Sequence, residues 1–213
     1  MIGIIDYGLG NIQAFLNIYK EFNIPASRVR TRQELLSSDR LILPGVGSFD
    51  WAMDKLNASG LRDDLDEVVL RQRKLILGVC VGMQMMARSS EEGHLQGLSW
   101  VPGVVKRFDD SDNKVKLPHM GWNEVEPLSC DDLFNGVMNP MFYFLHSYYF
   151  LPDLCEHTLS RTNYAGSFVS SIRSGNVFGT QFHPEKSHGC GTKLLRNFAE
   201  MPDRTSLTNA NLE

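Results

Sequence analysis

Residues 74–84 read KLILGVCVGMQ. The first half is a continuous apolar run, too short for a core helix and bounded by glycine. Such a run is the mark of a strand covered by helices on both faces. Gly78 and Gly82 flank Cys80 two residues away on either side. They leave room for a sharp turn at which a strand enters the cysteine and a helix leaves it. This is the G-x-nucleophile-x-G pattern of the hydrolase elbow, with sulfur in place of oxygen. The amide of Val81 follows the nucleophile and suits an oxyanion. The first-turn amides of the outgoing helix favour a thiolate. The same residues also suit a structural cysteine buried on a tight turn.

Upstream the pattern repeats. Residues 1–6 (MIGIID) predict a first strand, broken by YGLGN, and IQAFLNIYKEF places apolar residues at helical spacing. A weaker strand is expected near Val29. RLILPGVG is a second clear strand, stopped by Pro44, Gly45 and Gly47. A helical stretch follows from about Phe49 to Arg73, interrupted near Ser59 and Gly60. This alternation predicts an α/β fold with an open, mostly parallel sheet flanked by helices. From about Leu95 to Phe182 the pattern changes to short strands and turns (WVPGVVKRF, MFYFLHSYYFL, FVSSIRSGNVFGTQF), giving a β-rich second half. GTKLLRNFAEM predicts a closing helix. Residues 1–200 read as a single domain and 201–213 as a frayed polar tail, with no repeat or linker.

Composition removes several classes of function. The chain has 213 residues, 21 Lys+Arg against 25 Asp+Glu, and a formal net charge of −4. That balance is poor for sequence-independent nucleic-acid binding, which needs concentrated cations. No apolar run approaches the roughly 20 residues needed to cross a bilayer. The opening MIGIIDYG has no basic segment before its apolar stretch, so it reads as a strand rather than a signal peptide. Cysteines 80, 130, 155 and 190 form no CxxC pair, hence neither a disulfide scaffold nor an evident zinc site. A reduced, cytoplasmic protein is expected, in which one cysteine can be a nucleophile.

A cysteine nucleophile needs a base, and the base an orienting group. GTQFHPEK supplies His183 and Glu185, which in an extended segment point the same way. A surface loop would account for the same three residues. A metal site from His183, His188 and Cys190 has no zinc-like spacing. LPGVGSF offers free backbone amides for an anion or oxyanion but lacks the GK[ST] ending of a phosphate loop. Gly8-Leu9-Gly10 fails as a dinucleotide fingerprint because the third glycine position holds Gln13. No cofactor is implied.

Taken together, PGVGSF, GVCVGMQ and FHPEKS closely resemble the class I glutamine amidotransferases, the Cys-His-Glu glutaminases. IDYGLGN, SSEEG, PHMGWN (118–123) and FLHSYYF (144–150) narrow the resemblance to the branch serving histidine biosynthesis, over roughly residues 1–200. The resemblance implies that Cys80 attacks the side-chain amide of glutamine, His183 shuttles protons and Glu185 orients His183. It implies oxyanion roles for Val46, Gly47 and Val81. Gln84 and Glu92 would hold the substrate, with Ser147 and Tyr148 lining its carboxylate. It implies a (β/α)8-barrel cyclase partner that consumes the ammonia and forms imidazole glycerol phosphate and AICAR. The surface facing that partner would comprise His119, Met120, Gly121, Trp122 and Asn123, with Tyr143 and Lys193 as further candidates. Glutaminase activity should stay low until the partner and its ligand are bound.

Two details depart from that branch. Val81 stands where leucine is commoner. LQGLSWVPGVVKRF and KSHGCGTKLLRNFAE resemble a paralogous branch that supplies ammonia for amidating surface-polysaccharide sugars. A cysteine peptidase with the same elbow, or a non-catalytic binding module, are the alternatives from other classes. Cys130, Cys155 and Cys190 read as ordinary reduced thiols.

Overall fold

Every apolar run of the first half becomes a strand, and the connecting helices bury one face each. The computed structural model describes residues 1–111, 115–128 and 131–202. Cys130 and most of the expected tail, from residue 203 on, lie outside the described residues. Strand β1 (Ile2–Ile5) leads to α1 (Ile12–Glu21), capped by the Asn11 side chain, which accepts from the amide of Ala14 at 3.2 Å. Ile12, Phe15, Ile18 and Tyr19 form its buried stripe. Then come β2 (Ala26–Val29), α2 (Arg32–Ser37) with a Thr31–Glu34 capping box, and β3 (Arg40–Gly45). The expected helical stretch is α3 (Phe49–Ala58), α4 (Arg62–Asp66) and a π turn at Glu67–Arg71, broken at Gly60 by its φ of +75°. Strand β4 (Leu75–Cys80) runs into α5 (Val81–Gln84).

The second half holds β5 (Gly103–Arg107), β6 (His119–Glu124), β7 (Glu126–Pro127), β8 (Met141–His146), β9 (Tyr148–Pro152), β10 (Thr158–Asn163), β11 (Ser167–Ser174) and β12 (Val177–Thr180). Helix α6 (His188–Glu200) is the last element among the described residues. Among the described residues the main sheet has eight strands in the order β2-β1-β3-β4-β12-β11-β10-β7. Its first five are mutually parallel, and β11, β10 and β7 add antiparallel. The expected mostly parallel sheet is therefore mixed toward one edge. Strand β12 is the hinge of that arrangement: it lies parallel to β4, with Thr180 opposite Val79, and so delivers the following residues beside Cys80. Two antiparallel ribbons, β5-β9 and β6-β8, flank the sheet.

Candidate active site

Cys80 sits at φ +56°, ψ −113°, backbone angles that only glycine adopts without strain. Glycines make this turn possible. A Cβ on Gly82 would lie 1.9 Å from the Leu43 carbonyl oxygen, and one on Gly45 would lie 2.2 Å from the Gly82 amide nitrogen. A Cβ on Gly78 would meet the end of Met86 at 2.6 Å and the Gly82 carbonyl oxygen at 2.7 Å. The elbow thus packs backbone on backbone against β3. Helix α5 is only four residues long, so little macrodipole backs the cysteine beyond the first-turn amides.

The stronger electrostatic partner is His183. Its Nδ1 lies 2.8 Å from the Glu185 carboxylate, and both side chains are buried. A carboxylate accepts, so Nδ1 carries the proton and Nε2 is left for Cys80. Burial pulls the imidazole down. The Cys80 charge and hydrogen bond, with the Glu185 contact, outweigh that and raise it to about 10. The expected extended His-Pro-Glu segment is extended only at His183. Pro184 begins a 3-10 turn over Pro184–Lys186, because its fixed φ suits the first position of a helical turn.

Gln84 is buried rather than solvated. Its Nε2 donates to the Tyr148 carbonyl and to Gln181 Oε1, both at 3.0 Å. Gln181 in turn points Nε2 at the Cys80 sulfur, 3.8 Å away. Sequence reasoning missed Gln181, although it lies two residues before His183 and shares its face in an extended segment. The Leu145 carbonyl stands 3.9 Å from the same sulfur. Ser147 separates β8 from β9, and its carbonyl accepts from the Phe108 amide at 3.1 Å. Glu92 receives the Phe49 amide at 2.8 Å and so caps α3; burial holds its carboxyl above the usual range. At the end of β3, Val46 is half-buried and Gly47 is exposed, at φ +85° against the Trp51 ring. Tyr7, also unforeseen, donates its hydroxyl to the Pro44 carbonyl at 2.7 Å.

The β6-β8 ribbon divides the remaining candidates between two faces. His119 is buried, stacked between Tyr164 and Phe144 with ring centres 3.9 and 4.7 Å away. Asn123 turns inward with it. Gly121 takes a φ of +125°. Met120 and Trp122 face outward, 66% and 46% exposed. Across the ribbon they pair with Leu145 and Tyr143. Trp122 also stacks on His188, 5.1 Å between ring centres. Lys193 lies on α6 against Gly136, whereas the lysine beside Tyr143 is Lys186, 5.7 Å from the ring centre. Among the described residues no three His, Cys, Asp or Glu side chains are arranged to hold a metal, and no helix is long and apolar enough to cross a membrane.

Comparison with known proteins bears on this geometry. The family profile described as glutamine amidotransferase class-I matches residues 3–201. The chain belongs to the class I glutamine amidotransferases. Among its relatives in that family, imidazole glycerol phosphate synthase subunit HisH of Leptospira interrogans is 50% identical, over 94% of this chain and all of the relative. The same-named subunit of Bdellovibrio bacteriovorus is 49% identical over the same shares. The chloroplastic imidazole glycerol phosphate synthase hisHF of Arabidopsis thaliana is 41% identical over 93% of this chain and 34% of its own length. A solved glutamine amidotransferase superposes with a TM-score of 0.72 at 20% identity, covering 93% of this chain and 97% of its own. The glutaminase domain of Trypanosoma brucei CTPS with bound acivicin gives 0.62 at 16% identity, covering 95% and 94%. At those identities the amidotransferase structures speak for the fold alone.

Proposed function

We propose that this amidotransferase is the glutaminase subunit of imidazole glycerol phosphate synthase, releasing ammonia from glutamine for a (β/α)8-barrel cyclase in histidine biosynthesis. The supporting observation is the buried Cys80–His183–Glu185 relay, set against the back of an exposed apolar ribbon. The Cys80 sulfur attacks the side-chain carbonyl carbon of glutamine, and the oxyanion is received by the Val81 amide and those of Val46 and Gly47. His183 passes its Nε2 proton to the departing nitrogen, the C–N bond breaks and ammonia leaves a thioester on Cys80. Water then attacks the thioester, giving its proton to His183, and the C–S bond breaks to release glutamate. Glu185 holds the imidazole in one tautomer throughout. Gln84, Glu92, Ser147 and Tyr148 form the substrate wall.

The outer face of the ribbon is the docking surface for the barrel. Exposed apolar patches of this kind mark interaction sites, and Trp122 and Tyr143 are of the types that anchor them. The Arabidopsis relative carries a region like this chain in about a third of its length, under a name that joins both parts. A cytoplasmic location accords with this chemistry. The test is Cys80→Ala assayed with the barrel: glutamine-dependent synthesis and thioester formation should vanish while synthesis from free ammonia persists. Glutamine hydrolysis retained by Cys80→Ala would sink the mechanism.

A further inference from the structure

Behind the docking ribbon runs a chain of hydrogen bonds whose direction chemistry fixes at every step. Two backbone carbonyls set it, because a carbonyl can only accept. The Tyr148 carbonyl receives His146 Nδ1 at 2.8 Å, so that ring carries its proton on Nδ1 and offers Nε2 as an acceptor. His119 Nδ1 must then donate to His146 Nε2, 3.0 Å away. His119 Nε2 is left to accept, and Asn123 Nδ2 donates to it at 3.2 Å. The same Asn123 nitrogen donates to the Asn163 carbonyl at 3.1 Å, which fixes the orientation of its amide. On the other side of the Tyr148 carbonyl, Gln84 Nε2 spends one hydrogen there and the other on Gln181 Oε1. Gln181 is thereby left with only its amide nitrogen to present to Cys80. Burial keeps both imidazoles neutral, pushing His119 down to about 4 and His146 to about 3, as this assignment requires.

We infer that His119 and His146, anchored by Asn123, are positioning residues for glutamine hydrolysis, fixing the Tyr148 carbonyl and through Gln84 and Gln181 the donor that faces the Cys80 sulfur. The inference rests on the glutaminase reading. A merely satisfied polar cluster in the core would account for the neutral rings, but not for two sets of donors that meet on the Tyr148 carbonyl, one of which continues to the reactive sulfur. The cluster also starts on the ribbon itself. Strand β6 carries His119 and Asn123 on its inner face and Met120 and Trp122 on its outer face. A partner seated on that face therefore acts on the strand from which this chain of hydrogen bonds begins, which gives docking a route to the nucleophile.

Two substitutions separate positioning from packing. His119→Phe keeps the flat ring between Phe144 and Tyr164 but loses both hydrogen bonds. His119→Asn loses the ring but keeps a nitrogen donor near the Nδ1 position. Each is compared with the unaltered chain, with and without the barrel partner, for glutamine kcat and KM and for melting temperature. The rate at which iodoacetamide alkylates Cys80, located by peptide mass, is followed against pH. We expect His119→Phe to lower kcat/KM for glutamine roughly tenfold, the scale of coupling through one such contact. It should also move the Cys80 alkylation midpoint upward and blunt stimulation by the partner. His119→Asn should recover most of each even if it melts lower. Unchanged glutamine kinetics and alkylation in folded His119→Phe would overturn the inference. So would losses that follow melting temperature and ignore the restored donor. Should the unaltered chain with its partner fail to hydrolyse glutamine, the glutaminase reading falls, and the alkylation profiles still decide the positioning role.

Discussion

Cys80 holds the φ and ψ of a position where glycine is preferred, and the strain of such a residue is of the order of 1–3 kcal/mol. This inverts an ordinary ranking. Glycine usually destabilises relative to alanine by about 0.5–1 kcal/mol. At this position Cys80→Gly should instead melt above Cys80→Ala, both being inactive; the two melting temperatures check it. The buried imidazoles make a second prediction. With folded values near 4 and 3 against 6.5 in the open chain, His119 and His146 bind protons more readily when unfolded. Their contribution is intact above about pH 6.5 and is lost as pH falls toward 4 and then 3. The melting temperature should therefore fall less steeply from pH 6.5 to 4 in His119→Phe than in the unaltered chain. At this scale the Cys80–His183–Glu185 cluster was legible, because glycine spacing and a His-Pro-Glu run announce themselves. Gln181 and His146 were not, since a buried polar residue at the end of an apolar strand looks the same in sequence whether it serves the site or only the core.

The elbow is a property of two strands at once. Gly82 is required because β3 passes beneath it, with the Leu43 carbonyl where a side chain would begin. Gly82→Ala must push α5 off β3, at a cost of about 1–3 kcal/mol for an overpacked site. It should lower the melting temperature by several degrees and the glutaminase rate by about a hundredfold, since a displacement of the order of 1 Å costs that much. Thermal melting and a glutamine assay test both. Strands β1, β3 and β4 were readable because each is almost wholly buried, and the edge strand β2, only one of whose four residues is buried, read more weakly. The length of α5 was not, because VGMQMMARS carries no stop signal and the chain leaves the helix through turns whose hydrogen bonds go to residues 97–101. The split of FLHSYYF into β8 and β9 at Ser147 was equally hidden, since an unbroken aromatic run reads as one strand.

For the molecule as a whole, the exposed face of β6-β8 is the surface on which activity should depend without any effect on folding. Trp122→Ala and Met120→Asp should each weaken the complex with the barrel, Trp122→Ala by roughly 30-fold if it anchors the patch. Glutamine-driven synthesis should fall with complex formation, while the melting temperature of the free chain stays within a degree or two. Binding titration and the two assays check this. The fold class was visible from the alternation of runs. The two-faced nature of PHMGWN was not, because a strand with His119 inside and Met120 outside requires knowing which face the core takes. The position of β8 has one more consequence. Its main chain approaches Cys80 through the Leu145 carbonyl on one side and carries the exposed apolar face on the other. On the proposed docking, a seated partner would close that side of the pocket to bulk solvent. Glutamine and glutamate would then come and go by another opening, so the two products would part company at Cys80: ammonia forward across a single strand, and glutamate back to the solvent.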